Sequence, residues 1–369
     1  MQRKIPQLDA VRGVAILLVL LHNTSMKYPS LYLQQVFANG WMGVDLFFVL
    51  SGLLITGILL DTKHSPGYFT NFYARRCLRI WPLYYSVIVL MFVVVPALRP
   101  SEAQAIFDRS SPWWAYPLFL QNFLVPHLTM ATGLLAVTWS LAIEEQFYLV
   151  WPWVVRYCST ARLRRLAIVV ICLSPVLRYG LSRYGVDLYP NTFCRLDGLM
   201  AGALLAVVVR ADGFRPSRYV RWAAVVLVVA VPLAFALETL HARWLVFSLT
   251  SVASAAFVYL ALFSAQRWLQ AALTTRFIVY TGAISYGLYL LHKIPVDVAQ
   301  VLHLDRHPAL ALAIVLAASY ALAAASWRWF EQPLLGLKRF FEPGSLCPQG
   351  VPRHVILVSP GTETRKGER

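Results

Sequence analysis

The stretch LDAVRGVAILLVLLHNTS, Leu8 to Ser25, indicates a membrane-spanning helix with polar residues inside it. Only glycine and apolar residues separate Arg12 from His22. About 20 helical residues cross a bilayer core about 30 Å thick. An ionisable side chain inside such a span is costly unless it is paired or faces water, so Arg12 and His22 are candidates for function. The run contains Arg12 and no clear cleavage site follows it, so we expect it to be retained rather than removed as a signal peptide.

The whole chain has the composition of a polytopic membrane protein. Of its 369 residues, 59% are hydrophobic, and the mean hydropathy is +0.60. The net charge of +16 does not indicate a nucleic-acid partner, because the basic residues lie in short loops between apolar runs. The five cysteines show neither metal-ligand nor disulfide spacing, and we expect no metal site.

The apolar segments predict an all-α fold, a polytopic membrane helix bundle of about ten transmembrane helices. The predicted spans are 8–27, 42–60, 83–98, 138–156, 166–182, 193–209, 222–238, 244–263, 278–296 and 309–330. The short, proline-interrupted stretch from Trp113 to Leu124 is predicted not to span. Lysine and arginine concentrate in every second loop, which places both termini in the cytoplasm. We expect a transmembrane domain over 1–338 and a disordered cytoplasmic tail over 339–369.

Three arginines are predicted to lie near the cytoplasmic side. Arg12 stands about one turn inside the first span, and Arg76 and Arg79 stand at i and i+3 before the third. Two guanidinium groups on one helical face are suited to a phosphorylated ligand. The alternative is that these arginines only anchor the helices at the membrane surface, together with nearby aromatic residues.

Another set of polar residues is predicted nearer the outer side, consisting of Asp45, Glu144, Glu145, Arg195, Asp197 and His292. Adjacent residues on a helix point about 100° apart, so we expect only one of the two glutamates to face a given cavity. Glu144 and Glu145 serve as catalytic groups, or they pair with Arg195 or Arg178 to hold the bundle together. Arg195 and Asp197 are also candidates for a local interfacial pair.

Seven stretches, taken together and in order, resemble the acyltransferase 3 family of integral membrane O-acyltransferases. They are LDAVRGVAILLVLLHN, GVDLFFVLSGLLIT, FYARRCLRIWPLYY, TWSLAIEEQFYLVWPW, RLDGLMAGALLA, SYGLYLLHKIPV and WRWFEQPLL, which run from Leu8 to Leu335. The chain is similar to the stand-alone form of the family, without the esterase-like domain that is fused to some relatives.

The resemblance implies transfer of an acyl group, usually acetyl, from an acyl-coenzyme A donor to a hydroxyl of a saccharide or another acceptor at or across the membrane. It implies that Arg12, Arg76 and Arg79 bind coenzyme A and that His22 acts as a general base or carries the acyl group. Glu144 and Glu145 are then expected to orient the imidazole. Asp45, Arg195, Asp197 and His292 are expected to bind the acceptor. The implied location is the inner membrane of a bacterium.

The spacing in the first span departs from the family pattern. Nine residues, Gly13 to Leu21, separate Arg12 from His22, which is one fewer than is common in the family. On an ideal helix His22 then lies about 80° from the face of Arg12, whereas Asn23 lies within about 20° of it. Either the family tolerates this shift, or His22 works from a neighbouring face, or another group such as His292 has taken over.

Two other functions fit the same residues. A proton-coupled transporter or flippase of a glycolipid or small molecule would use His22, Glu144 and Glu145 as a proton relay. Transporters are often built from inverted repeats, and we find no convincing repeat in this chain. A catalytically inactive scaffold that binds an acceptor is the second alternative.

Overall fold

The computed structural model describes residues 5–24, 37–100, 111–124, 133–240, 242–304 and 308–341. Within these ranges most residues are helical and no residue is assigned to a strand. The predicted all-α class is therefore confirmed. Of the predicted tail, only residues 339–341 are described, and they end a short 3-10 helix, Leu337–Phe341. The prediction of disorder for the rest of the tail lies outside the described residues.

The helices of seven or more residues are numbered here in chain order. They are α1 (Pro6–Asn23), α2 (Met42–Asp61), α3 (Tyr68–Val89), α4 (Thr138–Tyr157), α5 (Thr160–Ser182), α6 (Thr192–Val208), α7 (Pro216–Thr239), α8 (Arg243–Phe263), α9 (Arg267–Leu273), α10 (Arg276–Ala283), α11 (Ser285–Leu291), α12 (Lys293–Val301) and α13 (Pro308–Ser326). Helical structure continues beyond α3 through a π-turn to Leu98, and beyond α13 through a π-turn to Phe341.

Six helical segments of the described chain are long and apolar enough to cross a membrane. They are Asn39–Asp61, Tyr68–Leu98, Thr160–Ser182, Pro216–Thr239, Arg243–Phe263 and Pro308–Phe341. Helices α1, α4 and α6 occupy three further predicted spans. These three helices are not among the six because polar residues lower the mean hydropathy of α1 and α4, and because α6 has only 17 residues. The total of ten spans and the cytoplasmic position of the termini stay predictions.

The predicted span 278–296 is not one continuous helix. It is divided into α10, α11 and α12, with breaks at Ile284 and His292. Pro295 explains the second break, because proline has no N–H to donate to the carbonyl of Leu291 one turn earlier. His292 stands at this second break, and Lys293 is the first residue of α12. The stretch from Trp113 to Leu124 forms only two short helical turns, neither long enough to cross a bilayer.

The centre of the bundle is the contact between α2 and α6. A Cβ added to Gly52 would lie 1.9 Å from the carbonyl oxygen of Leu199, and one added to Gly202 would lie 2.0 Å from that of Val49. Both distances are far inside van der Waals contact, so only glycine permits this approach. Small residues commonly bring membrane helices together in this way.

Burial decreases from the centre of the bundle to its edge. In the most apolar 18 residues of each segment, the buried share is 72% for the segment that contains α2 and 61% for α8. For α7 the buried share is only 11%. Helix α7 packs mainly on α8 and leaves large apolar residues such as Trp222 and Val228 exposed. A peripheral helix of this composition is suited to contact with lipid. The polar residues predicted as functional lie instead on α1, α2, α3, α4, α6 and at the break before α12.

Candidate active site

A first cavity, of about 110 Å³, brings together the predicted cofactor-binding arginines. Arg12 enters it from α1, and Arg76 and Arg79 enter it from α3. We call it the arginine cavity; its wall also contains Ser51, Glu144, Tyr148, Tyr286 and Tyr289. Residues more than 60 positions apart in the chain are thus brought to one site, as the sequence analysis expected.

The three arginines of this cavity differ in their contacts within the part of the chain that the structure describes. Arg12 forms an ion pair of 2.7 Å with Asp9 on its own helix. Arg76 and Arg79 make no ion pair and no hydrogen bond with any described residue. The guanidinium of Arg76 instead lies over the ring of Tyr148, 5.5 Å from its centroid, and over that of Phe72 at 5.9 Å. The donors of Arg76 and Arg79 are therefore available to an anionic ligand.

A lysine that the sequence analysis did not select lies near these arginines. Lys338 is in the 3-10 helix that packs on α3, within electrostatic range of Arg79, Arg76, Arg75 and Arg12. It lies at the last residue of the predicted domain and outside every motif that carries the family resemblance. Only the return of the chain after α13 brings it to the cluster, so no local signal identifies it.

The two adjacent glutamates of α4 point to different places, as their helical spacing predicts. Glu144 faces the arginine cavity, where its carboxylate accepts hydrogen bonds from Ser51 at 2.6 Å and Tyr148 at 3.1 Å. Glu145 accepts a hydrogen bond from Trp81 Nε1 at 3.1 Å, and its other oxygen is buried without a partner among the described residues. No described contact joins either glutamate to His22. That a glutamate orients the imidazole stays a prediction.

A second cavity, of about 140 Å³, contains His22. We call it the histidine cavity; its wall includes His22, Asn23, Trp41, Trp139, Tyr189, Tyr289 and Lys293. The Nδ1 of His22 lies 3.3 Å from the carbonyl oxygen of Phe37. A carbonyl oxygen only accepts, so in a neutral ring Nδ1 carries the proton and Nε2 keeps its lone pair. Phe37 thus provides the orienting contact that was expected from a glutamate.

Tyr289 and Val44 belong to the walls of both cavities. The hydroxyl of Tyr289 donates a hydrogen bond to the carbonyl oxygen of Val137 at 2.9 Å and lies 2.5 Å from the hydroxyl of Ser140. Its ring packs edge-on against Phe47. The two cavities are therefore neighbours with a shared wall, and the tyrosine in that wall is held by hydrogen bonds at its tip.

Helix α1 connects the two cavities. It is a regular α-helix from Pro6 to Asn23, without a bulge between Gly13 and Leu21. A step of ten residues along a regular helix places His22 about 15 Å from Arg12 and about 80° around the helix axis from it. Arg12 lies in the arginine cavity, whereas His22 and Asn23 both lie in the histidine cavity. His22 thus lies on a neighbouring face of α1 from Arg12, and which residue acts as the base stays a prediction.

The predicted acceptor-binding residues Asp45, Arg195 and Asp197 form buried ion pairs. Arg195 binds Asp45 at 2.6 Å, and Arg178 binds Asp197 at 2.9 Å, with every side chain at most 2% exposed. The pairs link α2 to α6 and α5 to α6. Arg195 and Asp197 are thus not partners of each other, and none of the four lies in the wall of either cavity. Acceptor binding by these residues stays a prediction, while their geometry is that of a structural brace.

Two hydroxyl groups of α8 also donate hydrogen bonds to the carboxylates of Asp45 and Asp197. Thr250 donates to Asp45 at 2.7 Å, and Ser248 donates to Asp197 at 2.9 Å. The guanidinium of Arg195 also lies 4.2 Å from the centroid of the Phe247 ring. The network therefore holds four helices together at the centre of the bundle.

His292 is fully buried at the break between α11 and α12. Its Nδ1 lies 3.0 Å from the carbonyl oxygen of Leu288 and 2.9 Å from that of Tyr289, and its Nε2 has no partner among the described residues. His292 is not in the wall of either cavity, whereas its neighbour Lys293 lies in the histidine cavity. Its predicted role in acceptor binding stays untested. A group of at least three metal-ligating side chains is not found in the described chain.

Comparison with known proteins identifies the family. The acyltransferase domain model of the acyltransferase 3 family matches residues 5–328. The peptidoglycan O-acetyltransferase OatA of Listeria monocytogenes is 27% identical over 366 residues, covering 90% of this chain and 56% of the relative. A Staphylococcus aureus (strain MRSA252) protein named "Putative O-acetyltransferase SAR0937" is 27% identical over 391 residues, covering 97% of this chain and 62% of the relative.

The chain thus spans about three fifths of the length of these two relatives. No solved structure matches it. The family match covers far more than half of the residues, including α1 through α13 and both cavities. This chain belongs to the acyltransferase 3 family.

Proposed function

We propose that this chain is a membrane O-acyltransferase that transfers an acyl group, in the first instance acetyl, from acyl-coenzyme A to a hydroxyl of a saccharide or glycoconjugate. The single observation that carries the proposal is the pair of adjoining cavities. One contains arginines without acidic partners, and the other contains an imidazole whose Nε2 is available as a base. Coenzyme A is a co-substrate and not a resident cofactor.

The donor binds with its phosphate groups at Arg76 and Arg79. Guanidinium groups bind phosphate oxygens through two parallel hydrogen bonds, and the absence of acidic partners leaves these donors free for that role. Arg12 and Lys338 add positive charge at the same end of the bundle. The positive-inside bias of the loops makes this end cytoplasmic, where acyl-coenzyme A is available.

The reaction takes place where the two cavities meet. His22 Nε2 accepts the proton of the acceptor hydroxyl as its oxygen attacks the thioester carbonyl. A carbon–oxygen bond forms, the carbon–sulfur bond breaks, and the coenzyme A thiolate takes the proton back from the imidazolium. Because Tyr289 and Val44 stand between the cavities, the tyrosine side chain must move aside for donor and acceptor to meet.

The acceptor approaches from the end of the bundle that holds the histidine cavity. The relative from Listeria monocytogenes is named a peptidoglycan O-acetyltransferase, which supports a saccharide as the acceptor of this chain. We therefore place the protein in a bacterial inner membrane, with lipid around the bundle and a saccharide or glycolipid as its second substrate.

The test uses purified protein in detergent with acetyl-coenzyme A labelled in the acetyl group. Wild-type protein is expected to release label slowly to water or transfer it to added saccharide, and Arg76→Ala and His22→Ala are expected to abolish this. The matched control for Arg76→Ala is Arg75→Ala, because Arg75 lies in the same turn of α3 but outside the cavity wall. The control for His22→Ala is His64→Ala, because His64 lies in an exposed turn. If the wild-type protein neither binds nor turns over a coenzyme A thioester, the proposal fails.

A further inference from the structure

The histidine cavity contains one more charged residue, Lys293. It is the first residue of α12, directly after the break at His292, and its side chain lies in the cavity wall together with His22. The residue is only 4% exposed. The long side chain of a lysine normally extends to water, so an almost fully buried one requires an explanation.

Lys293 forms no contact that neutralises its charge within the described ranges. Among the described residues it forms no ion pair and no hydrogen bond through its ammonium group. Asp297, one turn further along α12, is within electrostatic range but does not reach ion-pair distance. The other titratable groups in range are His22 and His292, which add no negative charge. A buried cation without a counter-ion is unfavourable unless a ligand supplies one.

The remaining wall of the cavity is aromatic. Trp41, Trp139, Tyr189 and Tyr289 surround the space beside His22. Flat apolar faces with a few polar groups are the usual lining of a small-molecule site, and they fit the C–H faces of a sugar ring. Asn23 uses its amide nitrogen for the carbonyl oxygen of Val19 at 3.0 Å, which leaves its amide oxygen to accept from a hydroxyl.

We infer that the acceptor is an acidic saccharide whose carboxylate pairs with the ammonium group of Lys293 while a hydroxyl of the saccharide faces His22. This inference rests on the proposed function and makes it more specific by naming the class of acceptor. The aromatic wall holds the ring, Lys293 fixes its orientation through the carboxylate, and His22 removes the proton from the hydroxyl that is presented to it.

The test compares two acceptors that differ only in the group that Lys293 would bind. Methyl β-glucuronide carries a carboxylate where methyl β-glucoside carries a neutral hydroxymethyl group. With labelled acetyl-coenzyme A, we expect wild-type kcat/KM to be at least about tenfold higher for the glucuronide, mainly through KM, because a charge-assisted contact is lost with the glucoside. Lys293→Gln is expected to bring the ratio of the two kcat/KM values close to one.

Two further variants serve as controls. Lys293→Arg keeps the charge and is expected to retain a preference for the glucuronide, and Lys63→Gln, which removes a lysine outside the cavity, is expected to leave the ratio unchanged. A wild-type ratio near one, or a preference that persists in Lys293→Gln, overturns the inference even if transfer itself occurs.

A binding measurement separates this result from failure of the proposed function. Saturation-transfer NMR with the two glycosides reports binding to the purified protein without any turnover. Preferential binding of the glucuronide that is lost in Lys293→Gln supports the acidic acceptor, whereas equal binding of the two contradicts it. The absence of acetyl-coenzyme A turnover would instead count against the proposed acyl transfer.

Discussion

Replacing Arg195 by methionine tests whether the buried ion pairs hold the bundle or bind the acceptor. Both side chains of the Asp45–Arg195 pair are 1% exposed, and the substitution would leave Asp45 with Thr250 as its hydrogen-bond partner. Removing one member of a buried pair typically costs about 3–5 kcal/mol, because the other charge stays buried without compensation. We expect the free energy of unfolding of Arg195→Met to fall by about this amount.

The assay is thermal or denaturant unfolding of the purified protein in detergent. The control is Arg243→Met, which removes a pair with Glu238 in which the arginine side chain is 68% exposed. Exposed pairs contribute about 0–1 kcal/mol, so this control should unfold almost as the wild type does. The double variant Asp45→Asn/Arg195→Met has no net buried charge at this position and is expected to recover most of the loss.

The reasoning is refuted if Arg195→Met is no less stable than Arg243→Met. A second result would restore the original prediction that these residues bind the acceptor. In that case the double variant would recover stability while its KM for the acceptor stayed raised. A purely structural role predicts that stability and KM recover together.

Three further predictions concern other parts of the molecule. Tyr289→Ala removes part of the wall between the cavities, and we expect it to raise the hydrolysis of acetyl-coenzyme A without acceptor, measured as thiol release. Unchanged hydrolysis would count against Tyr289 as a barrier between the two cavities. Gly52→Ala should lower the melting temperature and the yield of folded protein, because the new Cβ would lie 1.9 Å from the backbone of Leu199. Gly180→Ala is the control, since the space around Gly180 is open, and equal melting temperatures of the two variants would contradict this prediction. Lys338→Gln is expected to raise the KM for acetyl-coenzyme A several-fold, and an unchanged KM would exclude it from the donor site.

The sequence was sufficient to predict the class of fold and the grouping of Arg12, Arg76 and Arg79 at one site. Long apolar runs predict helices because a helix satisfies its backbone hydrogen bonds within one segment in lipid, and most predicted spans coincide with observed helices. Arg76 and Arg79 share a face because of their i, i+3 spacing, and Glu144 and Glu145 diverge because of theirs. Such relations depend only on the geometry of one helix, which the sequence contains.

Relations between helices could not be predicted in the same way. The pairing of Arg195 with Asp45 joins residues 150 positions apart, and neither residue indicates its partner. Lys293 directly follows His292 within the motif SYGLYLLHKIPV, and only the packing of the helices brings it to the cavity that contains His22. The division into two cavities depends on Tyr289 and Val44, both of which resemble ordinary core residues in the sequence.

The interval between Arg12 and His22 on α1, one residue shorter than the family pattern, has a different meaning once the cavities are known. On the sequence, the shortened interval turns Asn23, and not His22, onto the helical face of Arg12. In the structure the two residues belong to different cavities, so they do not need a common face. A regular helix is then sufficient, and no bulge is required to bring His22 to its site.

Binding of acetyl-coenzyme A to two single variants tests the two-cavity account most directly. Titration calorimetry on purified protein is expected to show that His22→Ala binds acetyl-coenzyme A as tightly as the wild type but transfers no acetyl group. Arg76→Ala is expected to bind it at least about tenfold more weakly, because a charge-assisted contact to phosphate is lost. Loss of donor binding in His22→Ala, or unchanged binding in Arg76→Ala, would contradict the assignment of donor binding to the arginine cavity and base catalysis to the histidine cavity.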